Sequence, residues 1–225
     1  MKLHYSPYII GIFLSFLFVS CLKDDDNDTS RLYPNALVTA KHAGNTFYLQ
    51  LDDSTTLLPV NLSNSPFGKK EVRALVNYKK TDDPHIGYSE AVHVNWIDSL
   101  LTKNIAPNLG AQNNSIYGTD PVEIVRDWVT LVEDGFLTLR FRTVWGSTRV
   151  IHKVNLISTN NPDDPYEVAF YHNAQGDTYG QMRDALVAFN LDELPDTQGK
   201  TVKLTLKWTS FNGGKSTQFD YRTRE

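Results

Sequence analysis

The sequence predicts an all-β protein of two domains, a small N-terminal barrel followed by a C-terminal antiparallel β-sandwich. Three observations carry this. Val, Thr, Tyr, Phe and Trp recur at alternating positions, as side chains do along strands. No long segment shows the 3.6-residue period of a helix. Turn residues punctuate the chain at short, regular intervals. With a leader at 1–20 removed, about 205 residues remain, enough for two domains that bury their cores without disulfides.

In the first domain, expected over 34–112, strands are predicted at 37–40, 46–51, 57–61, 71–78 and 91–97. Ala43-Gly44-Asn45, Asp52-Asp53-Ser54 and Ser63-Asn64-Ser65-Pro66 separate three of them, at intervals typical of a small barrel. Val72, Ala74, Val76 and Tyr78 fall on one face of their strand, the pattern of half burial. The polar, small-residue stretch 110–115 reads as the linker to a second domain over 113–225.

That second domain has the stronger signals. Runs at 128–132 and 136–144 flank Glu133-Asp134-Gly135, and Asp-Gly between apolar runs predicts a hairpin with a primed turn. Leu137, Leu139, Phe141 and Thr143 share one face; Thr138, Arg140 and Arg142 share the other. Further strands are expected at 150–157, 167–171, 185–191, 201–209 and 218–222. Val202, Leu204, Leu206 and Trp208 alternate with Lys203, Thr205 and Lys207, so one face is apolar and the other wet. About seven such strands in about 100 residues fit a β-sandwich. Segments 104–109 and 180–185 have the composition for single helical turns.

The N-terminus fixes an address. Lys2 and His4 precede an apolar run at 9–19, which as a helix is roughly 16 Å long, half a bilayer's hydrocarbon core. This is a signal-peptide core and not a membrane span. Cys21 is the only cysteine of the chain and follows the small Ser20, with Phe18 where a lipoprotein signal usually has Leu. An unpaired thiol is out of place in an oxidising exported compartment, so Cys21 is expected to be acylated. Residues 21–33 form an acidic tether. Within it Lys23, Asp24 and Asp25 resemble a surface-export signal of lipoproteins in some Gram-negative anaerobes. The expected location is the outer membrane, lipid-anchored and surface-exposed, with a periplasm-facing anchor as the alternative.

The block Asp127-Trp128-Val129-Thr130-Leu131-Val132-Glu133-Asp134-Gly135-Phe136-Leu137-Thr138-Leu139-Arg140-Phe141, followed by Trp145-Gly146 and His152-Lys153-Val154-Asn155-Leu156, resembles the NigD-like lipoproteins. The resemblance implies an N-terminal OB-like barrel, a C-terminal β-sandwich and a lipid anchor. The family takes its name from a member encoded beside a bacteriocin and proposed as its immunity protein. It brings no catalytic residues to carry over.

Composition narrows the function classes. The mature chain keeps 21 basic and 26 acidic side chains, net −5, which argues against nucleic acid as a partner. His85, His93, His152 and His172 lack the short repeated spacing of a zinc site, and Asp82-Asp83-Pro84-His85 and 160–165 read as turns. No metal or cofactor is expected. The Gly-x-Ser-x-Gly elbow is absent, and pairs such as Asp192 with Glu193 or Asp98 with His93 arise in any acidic chain, so no catalytic residue is expected. The first expectation is therefore a non-enzymatic interaction module meeting an envelope or secreted protein. The alternative is a carbohydrate-binding accessory lipoprotein. Trp145, beside Gly146 in a turn, is the aromatic expected to be exposed for ligand contact.

Overall fold

The structure, a computed structural model, describes residues 29–224. Cys21, Lys23, Asp24 and Asp25, the residues expected to carry attachment and export, lie outside these residues. A short 3-10 turn at Thr29–Leu32 leads into five strands: β1 (Ala36–Ala43), β2 (Thr46–Gln50), β3 (Thr56–Pro59), β4 (Val72–Thr81) and β5 (Glu90–Ser99). They close in the order β1-β2-β3-β5-β4, with β3 parallel to β5 and β1 sealing against β4. Alternation decides which side chains face inward. Val38, Ala40, Leu49, Ala74, Val76, Val92 and Val94 fill the interior, small residues where opposite walls approach.

The sandwich begins at β6 (Leu101–Asn104), one residue after β5. The remaining strands are β7 (Glu123–Val125), β8 (Leu131–Glu133), β9 (Phe136–Trp145), β10 (Lys153–Ser158), β11 (Glu167–Asn173), β12 (Gln181–Asn190), β13 (Val202–Ser210) and β14 (Gly213–Tyr221). One sheet runs β6-β12-β9-β7 with β8 added on β9; the other runs β10-β11-β13-β14. Most joints are antiparallel, and β6–β12 and β11–β13 are parallel. Leu137, Leu139, Phe141, Val187 and Phe189 of the first sheet meet Leu156, Phe170, Leu204 and Leu206 of the second to form the core. Val202 and Trp208 pack half-buried on its rim, on the apolar face that alternation assigns them.

Several expectations change. The linker expected at 110–115 is a 3-10 turn (Gly110–Gln112) running into the short helix α1 (Asn113–Tyr117), because Asn113 Oδ1 accepts from Leu109 N–H and Asn113 Nδ2 donates to Asn108 Oδ1. With β6 also in the sandwich, the domains divide near Leu100 and not at 112. The helical turn expected at 180–185 is the start of β12, held by pairing with β9. At 104–109, Ala106 instead bridges Ile157 in extended backbone. Trp128 lies in an exposed turn, since β8 begins only at Leu131.

The Asp134-Gly135 hairpin joins the two domains. Both residues have positive φ, 50° and 72°, as a primed turn requires. The tip lies against the outer wall of β1 and β4. There Lys41 Nζ is 2.5 Å from Asp134 Oδ1, and Asp134 N–H donates to Asp53 Oδ1 at 2.8 Å. Arg73 is fully buried; its Nη1 donates to Thr39 Oγ1 at 2.9 Å and its Nη2 lies 3.6 Å from Glu133. Burial pushes the Arg73 pKa down and that of Glu133 up, each countered by the other's charge. Arg224 adds contacts to Glu71 and to Asp192, with its guanidinium 5.4 Å from the Phe136 ring centroid.

Candidate functional site

The end of the sandwich where β9 runs out gathers the chemistry-bearing residues. Trp145, the last residue of β9, is half-buried rather than exposed. Strand parity places it on the core face, with its ring stacked on His152 at 4.3 Å and 6.2 Å from that of Phe141. Trp128, at 51% exposure, is the more accessible indole.

A buried polar chain lies behind Trp145. His172 shares a face of β11 with Val168 and Phe170, and the β10–β11 register brings His152 beside it. His172 Nδ1 approaches Asp120 O at 3.2 Å, and a carbonyl only accepts, so His172 donates there. Its Nε2 is then the acceptor for His152 Nδ1–H at 2.9 Å. His152 Nε2 lies 3.4 Å from Asp177 Oδ2. Burial lowers the His172 pKa to about 4, so the ring is neutral at physiological pH. The Asp177 carboxylate accepts the Ser147 and Gly146 N–H groups, each at 3.0 Å; the Ser147 bond leads in holding its pKa below the usual value.

Both rings are shut off from solvent: the His152 side chain is 1% exposed and His172 2%. The chain therefore braces loops and has no access to an outside substrate. Its register could not be read from sequence, although the parity of Val168, Phe170 and His172 already pointed one imidazole inward. Two glycines complete the brace. A Cβ at Gly146 would lie 2.0 Å from Tyr179 O, and one at Gly180 2.3 Å from Trp145 O. Among the described residues no group of three His, Cys, Asp or Glu could hold a metal ion.

On these braced loops the surface is apolar. Ile151 is 79% exposed and Tyr179 86%, and Met182 is also exposed at the start of β12. Beside them a groove of about 330 Å³ is lined by Trp145, Ser147, Thr148, Val150, Arg183 and Asp184. Asp184 is anchored by Arg140 at 2.6 Å and Arg142 at 2.5 Å, and Arg140 also holds Asp127 at 2.7 Å.

A closed five-stranded OB-type barrel running with almost no spacer into a two-sheet sandwich defines the class of protein. Residues 36–100 match the NigD-like N-terminal OB domain, and residues 104–221 match the NigD-like C-terminal beta sandwich domain. The chain belongs to the NigD-like family. It is 40% identical to a protein from Parabacteroides distasonis whose structure is named as toxin-related, with a TM-score of 0.71 over 84% of this chain and 92% of that one. A NigD-like immunity protein from Bacteroides caccae shares the fold at 19% identity and a TM-score of 0.59, over 84% of this chain and 98% of that one. A structure named as a lipoprotein from Bacteroides fragilis shares it at 11% identity and a TM-score of 0.55, with the same coverage. No protein of curated function matches the chain.

Proposed function

We propose that this protein is a lipid-anchored, non-enzymatic interaction module of the cell envelope that meets a protein partner through the loop end of its sandwich. The observation that carries the reading is the exposed Ile151 and Tyr179, presented on loops fixed by the Asp177–His152–His172 chain. Large exposed apolar side chains on a rigid frame suit protein recognition, because little conformational entropy is lost on binding. Bacteriocin self-immunity is the specific role favoured, supported by the name of the Bacteroides caccae relative. Cys21 carries the anchor, and Lys23, Asp24 and Asp25 direct it outward on the outer membrane. Among the described residues no helix is long and apolar enough to cross a membrane, so attachment in this reading rests on the lipid.

Cross-linking on intact cells tests the reading. The wild-type protein should capture a discrete protein, and Ile151→Ser with Tyr179→Ser should lose it while folding normally. Capture unchanged by that double substitution overturns the assignment of the surface. Cys21→Ala should move the protein from the membrane to the soluble fraction, and protease should cleave the wild type on intact cells if it faces outward.

A further inference from the structure

A second groove, sharing no lining residue with the one beside Trp145, lies on the outer face of the β10-β11-β13-β14 sheet. It holds about 460 Å³ and runs beside α1, across Ala169 and Tyr171 of β11, Lys207 and Thr209 of β13 and Gly214 and Ser216 of β14. We propose that this groove binds a neutral saccharide.

Four features select that ligand class. The first is an aromatic wall. Tyr171 lies 5.9 Å from the Tyr117 ring, and Tyr117 Oη donates to Pro107 O at 2.8 Å, which fixes the neighbouring ring. A tyrosine ring offers an apolar face to the C–H face of a sugar. The second is unused hydrogen-bonding capacity. The Asn114, Thr119, Thr209 and Ser216 side chains line the groove and bond to no other described residue. The third is charge. Lys207 is 2.7 Å from Glu167 and Lys215 2.7 Å from Glu123, so both cations in the lining already have carboxylate partners. The groove thus pairs an apolar ring with one amide and three aliphatic hydroxyls at balanced charge, which matches a neutral polyhydroxylated ligand and disfavours an anion.

The fourth feature is Gly214. Its neighbour Gly213 has φ 99° and is required by the β13–β14 turn. Gly214 has no such requirement: its φ is not positive, it pairs with Thr209, and a Cβ built on it meets nothing within 4 Å. Glycine weakens a strand, and in strand interiors it often marks the close approach of a ligand. Here the missing side chain, together with the small Ala169, keeps the trough open.

The experiment is an array of neutral and acidic oligosaccharides probed with the mature full chain, followed by titration calorimetry with the best-bound neutral oligosaccharide. Wild type should bind. Gly214→Thr should keep or raise the melting temperature and weaken binding at least tenfold, Tyr171→Ala should weaken it at least tenfold, and Trp128→Ala, at an exposed indole outside this groove, should bind as wild type does. The proposal is overturned by the absence of any neutral ligand on the array, by preference for acidic glycans, by undiminished binding in a folded Gly214→Thr, or by loss of binding in a folded Trp128→Ala.

Discussion

Acidification should destabilise this protein through His172 before its carboxylates have all been neutralised. The ring donates to Asp120 O and accepts from His152, so a second proton removes the acceptor and sets two donors against each other. With a folded pKa of about 4 against 6.5 unfolded, the unfolded chain binds the proton more readily between those values. Stability from this group is thus complete above about pH 6.5 and falls as the pH drops toward 4. Between pH 7.5 and 4.5 the difference is about 2–3 kcal/mol, or about 5–10 °C in melting temperature for a chain of this size. The comparison is His172→Gln, whose amide can donate to Asp120 O and accept from His152 without titrating. Urea unfolding followed by tryptophan fluorescence at the two pH values should give a wild-type loss exceeding the variant loss by about 2–3 kcal/mol. Carboxylates common to both proteins cancel. Equal losses in the two proteins would refute the assigned tautomers.

Other expectations concern packing and the domain joint. Glu133→Gln leaves the buried Arg73 without its counter-charge and should lower unfolding free energy by about 1–3 kcal/mol, since Glu133 is itself partly exposed; adding Arg73→Met should recover most of this in chemical denaturation. Gly146→Ala forces a methyl group onto Tyr179 O and should destabilise by more than about 2 kcal/mol. Gly176→Ala faces open space and should lose only about 1–2 kcal/mol, from its positive φ. Leu206→Ala empties a fully buried core position and should lower thermal unfolding stability by about 2–5 kcal/mol.

The sandwich was legible where alternation was unbroken. Leu137, Leu139 and Phe141, and Leu204 and Leu206, are buried as their parity requires, and Asp134-Gly135 makes the hairpin its φ preferences favour. The start of β12 was not legible, because Gln181, Met182 and Arg183 show no apolar alternation and become a strand through pairing with β9. Segment 110–117 has a linker's composition; side-chain bonds from Asn108 and Asn113 order it. β6 is too short for a period, and alternation alone does not decide whether five strands close, so the OB-like form rested on resemblance. In the site, the sequence places Trp145 in a turn and exposed, but Trp145 ends β9, and its parity with Phe141 turns the ring inward. His152 and His172 are far apart in sequence, and only the β10–β11 register makes them neighbours.

The near-absence of a spacer between β5 and β6 governs how the molecule can be divided. β6 reaches out of the barrel's exit to supply the outermost strand beside β12, pairing Leu101 with Val187 and Lys103 with Phe189. A fragment begun at Asn104 strips most of that strand away and bares the backbone of β12, a row of unsatisfied N–H and C=O groups that recruits other strands. Begun at Leu100 or earlier, the sandwich keeps its border closed. A sandwich fragment for binding work should therefore begin at Leu100 or earlier, leaving those few residues with the strand they cover.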